Sequence, residues 1–162
     1  MDKKSIEFNG LIGGLFIFIG LLIFFFIMSL LGLVHNLELR ALNLFIMAGG
    51  VYFSIKNIKR RNKDFDYLKG MGTGFLAAIS SSLAFALFNI LFLTVVNPDF
   101  MTEVIAEEPF GSYLTPFTVA IVILMEGVAS GFLFTFGIMQ WFKRREGNRK
   151  AVYKQEDSSE RK

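Results

Sequence analysis

The sequence predicts an all-α integral membrane protein, a four-helix bundle with both termini in the cytoplasm. Three observations carry that reading. Of 162 residues, 53% are hydrophobic, 20 are Phe and only 3 are Pro, and the mean hydropathy is +0.50, too apolar for an ordinary soluble domain. Four segments approach the roughly 20 helical residues that a hydrocarbon core of about 30 Å requires. Lys and Arg gather at one end of these segments and are nearly missing at the other, which sets orientation.

The first span is expected over residues 11–34, after a short cytoplasmic stretch, 1–10. Its charged start, "MDKK", resembles that of a signal peptide. The apolar run is longer than the roughly 7–15 residues of such a region and no A-x-A-like site follows, so an uncleaved span is expected. Ser29 is almost its only polar side chain, which suits a lipid-facing helix. The second span, 41–58, keeps an uncharged run only from Ala41 to Ile55 and needs Lys56 to reach the headgroups; a re-entrant or core-buried segment is the alternative. "MAGG", Met47 to Gly50, marks a kink or a close contact within it. The third span is expected over 70–96 and the fourth over 117–142.

Between the last two, the outer loop 97–116 carries Asp99, Glu103, Glu107 and Glu108 without a base, and its middle suits a short helix starting after Pro98 or Asp99. The loop "KNIKRRNKDFDYLK" and the tail "KRREGNRKAVYKQEDSSERK" hold most of the basic residues, hence the cytoplasmic assignment. Tyr67, Tyr113 and Trp141 fall at expected interfaces. The tail, 143–162, is charged and expected to be disordered.

Composition also limits the chemistry. The net charge of +3 and pI near 9.2 reflect these flanking clusters, so nucleic-acid binding is not expected. Cys is missing and His35 is the single His, which removes thiolate metal sites, thiol nucleophiles and His-rich metal centres within one chain. His35 and Glu38 read as interfacial, solvated residues. Asp64 and Asp66 sit in a loop and form no intramembrane dyad, and "VASGF" and "ISSSL" supply no nucleophile elbow. Gly70, Gly72 and Gly74 lack the Lys and Ser/Thr of a phosphate-binding loop. No catalytic residue, metal or cofactor is expected.

Two patterns remain. Small residues recur every fourth position in span three, at Gly70, Gly74, Ala78, Ser82 and Ala86, and in span four at Gly127 and Gly131, continued by Thr135. On a helix these are shallow stripes on which the two spans pack closely, within the chain or across a homo-oligomer or larger membrane complex. Glu126 is the only charged residue of the apolar run 117–142 and lies about 15 Å from its outer start. A charge there costs about 2.5–3.5 kcal/mol on insertion scales. Ser130 lies one turn on, and Asn89 falls at a similar depth when counted from the end of its own span. Glu126, Asn89 and Ser130 are therefore a candidate intramembrane polar or proton-coupling site. The alternative, equally open, is a neutral Glu hydrogen-bonded to a neighbouring helix as a clamp.

The stretches "GLIGG", "YFSIKNIKRR", "YLKGMGTGF", "NPDF" with Met101, and "ILMEGVASG" resemble, in that order, domain-of-unknown-function family 4199, small four-span bacterial membrane proteins found largely in Bacteroidota. The similarity extends to about Arg145. The resemblance implies a recurring acidic residue in the last span, here Glu126. Two departures stand out: the outer loop is shorter than the family's, and Gly127 stands where bulkier residues often follow the Glu. No activity is established for that family. The expectation is thus a multi-pass protein of the bacterial inner membrane, an uncharacterised, non-enzymatic structural or accessory component. A small transporter or channel subunit using Glu126 is the alternative.

Overall fold

The computed structural model describes residues 5–32, 41–62, 65–107 and 111–160. His35, Glu38, Asp64 and the outer end of the first expected span lie outside the described residues. Everything described is helix or short connection, with no strand among the described residues. Four long helices follow one another: α1, Ile6–Leu30; α2, Leu42–Arg61; α3, Tyr67–Leu91; and, after a short α4, Pro98–Glu107, the long α5, Pro116–Glu160.

Local chemistry sets the starts. The Ser5 hydroxyl accepts from the Phe8 amide at 3.1 Å, Asp66 accepts from Tyr67 at 2.7 Å, and Thr115 accepts from Thr118 at 3.1 Å with Pro116 at the first helical position. Each cap satisfies a backbone donor that the helix leaves free. Helix α4 begins one residue earlier than the sequence suggests. The Asn97 side chain accepts from the Phe100 amide at 3.3 Å, and Pro98 takes the first helical position, where a missing N–H costs nothing.

Upstream of that proline, Phe92–Val96 forms a π-helical turn closed by the Asn97 amide on the Phe92 carbonyl at 2.9 Å. The wider turn lets consecutive residues Phe92 and Leu93 both face inward while Thr94 to Val96 point out. Phe92, Leu93 and Met101 form a small core with flanking Phe25, Phe88 and Phe100. Phe25 is its hub, meeting Phe88 at 5.7 Å and Phe92 at 5.0 Å edge-on, the geometry aromatic quadrupoles favour. This cluster ties α4 to the end of the bundle at which α3 runs into the π-helical turn.

Helix α3 is central and packs most extensively on α1 and α5, with α2 touching all three. The buried side of α1 is Asn9, Gly10, Gly13, Gly14, Ile17 and Leu21, while Leu15, Phe16, Ile19 and Ile23 of its other side are exposed. The tandem glycines of α2 divide their roles. Gly50 is pressed against Ile17, and Gly49 meets nothing within 4 Å.

Three helices are long and apolar enough to cross a membrane: Ile6–Leu30, Tyr67–Val96 and Pro116–Lys143. The expected fourth span, α2, is not among them, because Lys56, Lys59, Arg60 and Arg61 occupy its last third. Two of those charges, and Lys143 of α5, lie against aromatic rings: Lys59 Nζ lies 4.8 Å from the Phe142 ring centre, Lys56 lies 5.4 Å from Tyr52, and Lys143 lies 6.0 Å from Tyr67. Such rings anchor the alkyl stems while the ammonium groups reach outward. The C-terminal segment also differs from expectation: α5 continues as helix to Glu160, where the charged composition suggests a disordered tail. Lys, Arg, Glu and Gln are good helix formers, and a helix already nucleated in the apolar span needs only propagation to extend through them.

Candidate functional site

The α3 and α5 stripes meet face to face in one constant antiparallel register. A Cβ built on Gly127 would stand 3.0 Å from Ser82 Cβ, and one on Gly131 would run into Ala78 Cβ. One on Gly74 would stand 2.6 Å from both Thr135 Cγ2 and Oγ1, and one on Gly70 would reach Met139. The pairs step by four residues on both helices, so backbone approach is maintained over about 12 residues, roughly 18 Å. Close approach by small residues substitutes for the hydrophobic drive that lipid does not supply.

This register decides the depth of the polar residues. Continued outward by the same steps, it places Asn89 level with Ala120, which is six residues, about 9 Å, from Glu126. Asn89 is buried and its amide donates to the Phe85 carbonyl of its own helix at 2.8 Å. Ser130 is half-buried and its hydroxyl donates to the Gly127 carbonyl at 3.1 Å. Glu126 is exposed, turned away from the bundle. The three residues are thus not brought together into one cluster.

The bundle interior has a different character. Its buried polar side chains are Asn9, Ser54, Thr73, Ser81, Ser82, Asn89 and Thr135, all uncharged. Thr73 donates to the Lys69 carbonyl at 2.8 Å, Ser81 to Ala78 at 3.0 Å and Thr135 to Gly131 at 2.7 Å. Each of these hydroxyls is thereby satisfied within its own helix, the usual solution for such residues in lipid. The exceptions are the Ser54 and Ser82 hydroxyls, buried without a hydrogen-bond partner and pressed on Gly13 and Gly127.

A polar contact that sequence reading missed joins the start of α1 to the last turns of α2. Asn57 donates to Asn9 Oδ1 at 3.0 Å, Asn9 donates to the Ser5 carbonyl at 2.9 Å, and Arg61 Nε donates to Asn57 Oδ1 at 3.2 Å. Asn9 lies one turn before Gly13 in "FNGLIGG", so the signal in the sequence is a lone amide on the glycine face. Among the described residues no three His, Asp or Glu side chains group as metal ligands.

A model of the family described as "Protein of unknown function (DUF4199)" matches residues 9–144. No curated protein sequence and no solved structure is detectably similar to the chain.

Proposed function

The chain belongs to the DUF4199 family of unknown function, and from that premise we propose that it is a non-enzymatic, multi-pass component of the bacterial inner membrane that acts by binding another membrane protein through α5. The carrying observation is the placement of Glu126, exposed on the outer side of α5 about ten residues into an apolar helix of 28 residues. Lipid cannot satisfy a carboxyl group at that depth, whereas a facing helix can. The buried polar side chains are all uncharged, and the Thr73, Ser81 and Thr135 hydroxyls are bonded to their own helix carbonyls, which supports a packing core rather than a reaction centre or an ion path.

The arrangement in the membrane completes the reading. Helix α2 crosses as a fourth span, its basic end carried into the headgroup region by Lys56, Lys59, Arg60 and Arg61. Both termini and the loop between α2 and α3 then face the cytoplasm, and α4 lies at the outer surface.

A small transporter or channel subunit is the second reading, favoured by one fact: Glu126 is the only charged side chain between Pro116 and Phe142. The two separate in proteoliposomes holding the purified protein and an internal pH dye. An imposed proton or cation gradient should dissipate no faster than in empty liposomes. A flux lost in Glu126→Gln would sink the accessory reading and establish the transport one.

A further inference from the structure

We propose that a second copy of this chain covers the outer face of α5, with the two Glu126 carboxyl groups meeting across a two-fold axis normal to the membrane. The exposed residues of α5 on the side away from Gly127 and Gly131 are Val122, Glu126, Ala129, Leu133, Phe136 and Gln140; of these, Phe136 also meets Phe75 of α3 edge-on at 5.5 Å. Their spacing alternates four and three residues over the whole apolar length. That is the seam of a left-handed helix pair. Gly127, Gly131 and Thr135, turned to the other side, are occupied by α3, so the seam, apart from the edge that Phe136 shares with Phe75, is open to an external helix.

The choice of a second copy comes from symmetry and hydrogen bonding. Two copies inserted with the same orientation present parallel α5 helices at identical depth. A two-fold axis then sets each seam residue against itself. A carboxyl group that carries its proton can both donate and accept a hydrogen bond, as the Gln140 amide can, so like residues on the two copies can pair with each other. Ala129, one turn from Glu126, leaves room for the backbones to approach there. Among the described residues, Glu126 has no hydrogen-bond partner within the chain, and the pairing removes that deficit.

This inference rests on the reading of α5 as a binding surface and narrows it to one occupant. The full chain contains no Cys, so single cysteines report on neighbours without a background. Ala129→Cys and Leu133→Cys, oxidised in native membranes, should give disulfide-linked dimers of the chain. Leu83→Cys, exposed on α3 at the depth of Glu126, should not. Because these variants retain Glu126, they test the surface independently of the carboxyl. In the Ala129→Cys background, Glu126→Gln should retain the dimer and Glu126→Leu should weaken it about tenfold, the scale of one or two interhelical hydrogen bonds. Equal crosslinking at Leu83, no crosslinking at the seam, or crosslinking there to a different protein would overturn the second copy. An unchanged dimer in Glu126→Leu would overturn the carboxyl pairing. Gradient dissipation in liposomes would refute the accessory reading while leaving the crosslinks intact, so the two failures are distinguishable.

Discussion

Replacing Gly131 by Ala adds one methyl group, and its effect isolates what the α3/α5 contact is worth. The new Cβ would collide with the Ala78 Cβ and stand 3.4 Å from the Ala78 Cα. Alanine has no rotamer through which to yield, and Ala78 is fully buried, so the helices must separate or slide. Overpacking of this kind costs about 1–3 kcal/mol, against which Ala gains roughly 0.8–1 kcal/mol of helix propensity over Gly. Gly49→Ala supplies the propensity gain alone, since nothing lies within 4 Å of its added methyl. The two variants should therefore differ by about 1–3 kcal/mol, Gly131→Ala being the less stable. Ala78→Gly removes the atom that is struck. Combined with Gly131→Ala, it should recover most of the loss, a favourable coupling of about 1–3 kcal/mol on the scale expected of touching residues. Reversible unfolding of the purified protein in mixed detergent and dodecyl sulfate micelles measures all four. Equal stability of Gly131→Ala and Gly49→Ala, or additivity in the double variant, would refute the packing argument.

Other outcomes follow from the same geometry. Asn57→Ala removes the 3.0 Å hydrogen bond from Asn57 to Asn9 Oδ1 and should cost about 1 kcal/mol in the same unfolding measurement; a neutral result would mean that the amide pair is not a stabilising joint between α1 and α2. Phe25→Ala empties the centre of the outer aromatic cluster and should cost about 2–4 kcal/mol, below the fully buried value because Phe25 is half-buried. It should also speed protease cleavage within α4, and unchanged cleavage would contradict the role of that cluster as its tether. For orientation, Asn62→Cys should react with an impermeant maleimide only in inside-out vesicles and Ala106→Cys only in intact spheroplasts. The opposite pattern would invert the topology.

Much of the fold was legible because helix periodicity is strict. Gly74, Ala78 and Ser82 on one helix and Gly127 and Gly131 on the other recur every fourth residue, and close approach needs small residues at that spacing. The same angles already turn Glu126 away from the stripe, about 140° from Gly131 at 100° per residue. What periodicity does not contain is register between helices. Counting from the ends of spans puts Asn89 at a depth similar to that of Glu126, but the matching of Ser82 to Gly127 moves Asn89's counterpart six residues away, to Ala120. Likewise the Asn9–Asn57 contact depends on which glycine of α1 meets which residue of α2, and a single amide in a sequence carries no pairing information. The outer helix α4 was legible to within one residue, because its start is local chemistry: the amide cap at Asn97 followed by Pro98, independent of any packing partner.

The α3/α5 register is the claim on which the outward placement of Glu126 depends, and paired cysteines in the otherwise Cys-free chain measure it directly. With Ser82→Cys and Gly127→Cys, oxidation in native membranes should form an intramolecular disulfide, since the Cβ positions lie within bridging reach. Asn89→Cys with Glu126→Cys should not, being separated by about 9 Å along the helix axes. A bridge between positions 89 and 126, with none between 82 and 127, would contradict the account and return Glu126 to the interior of the bundle.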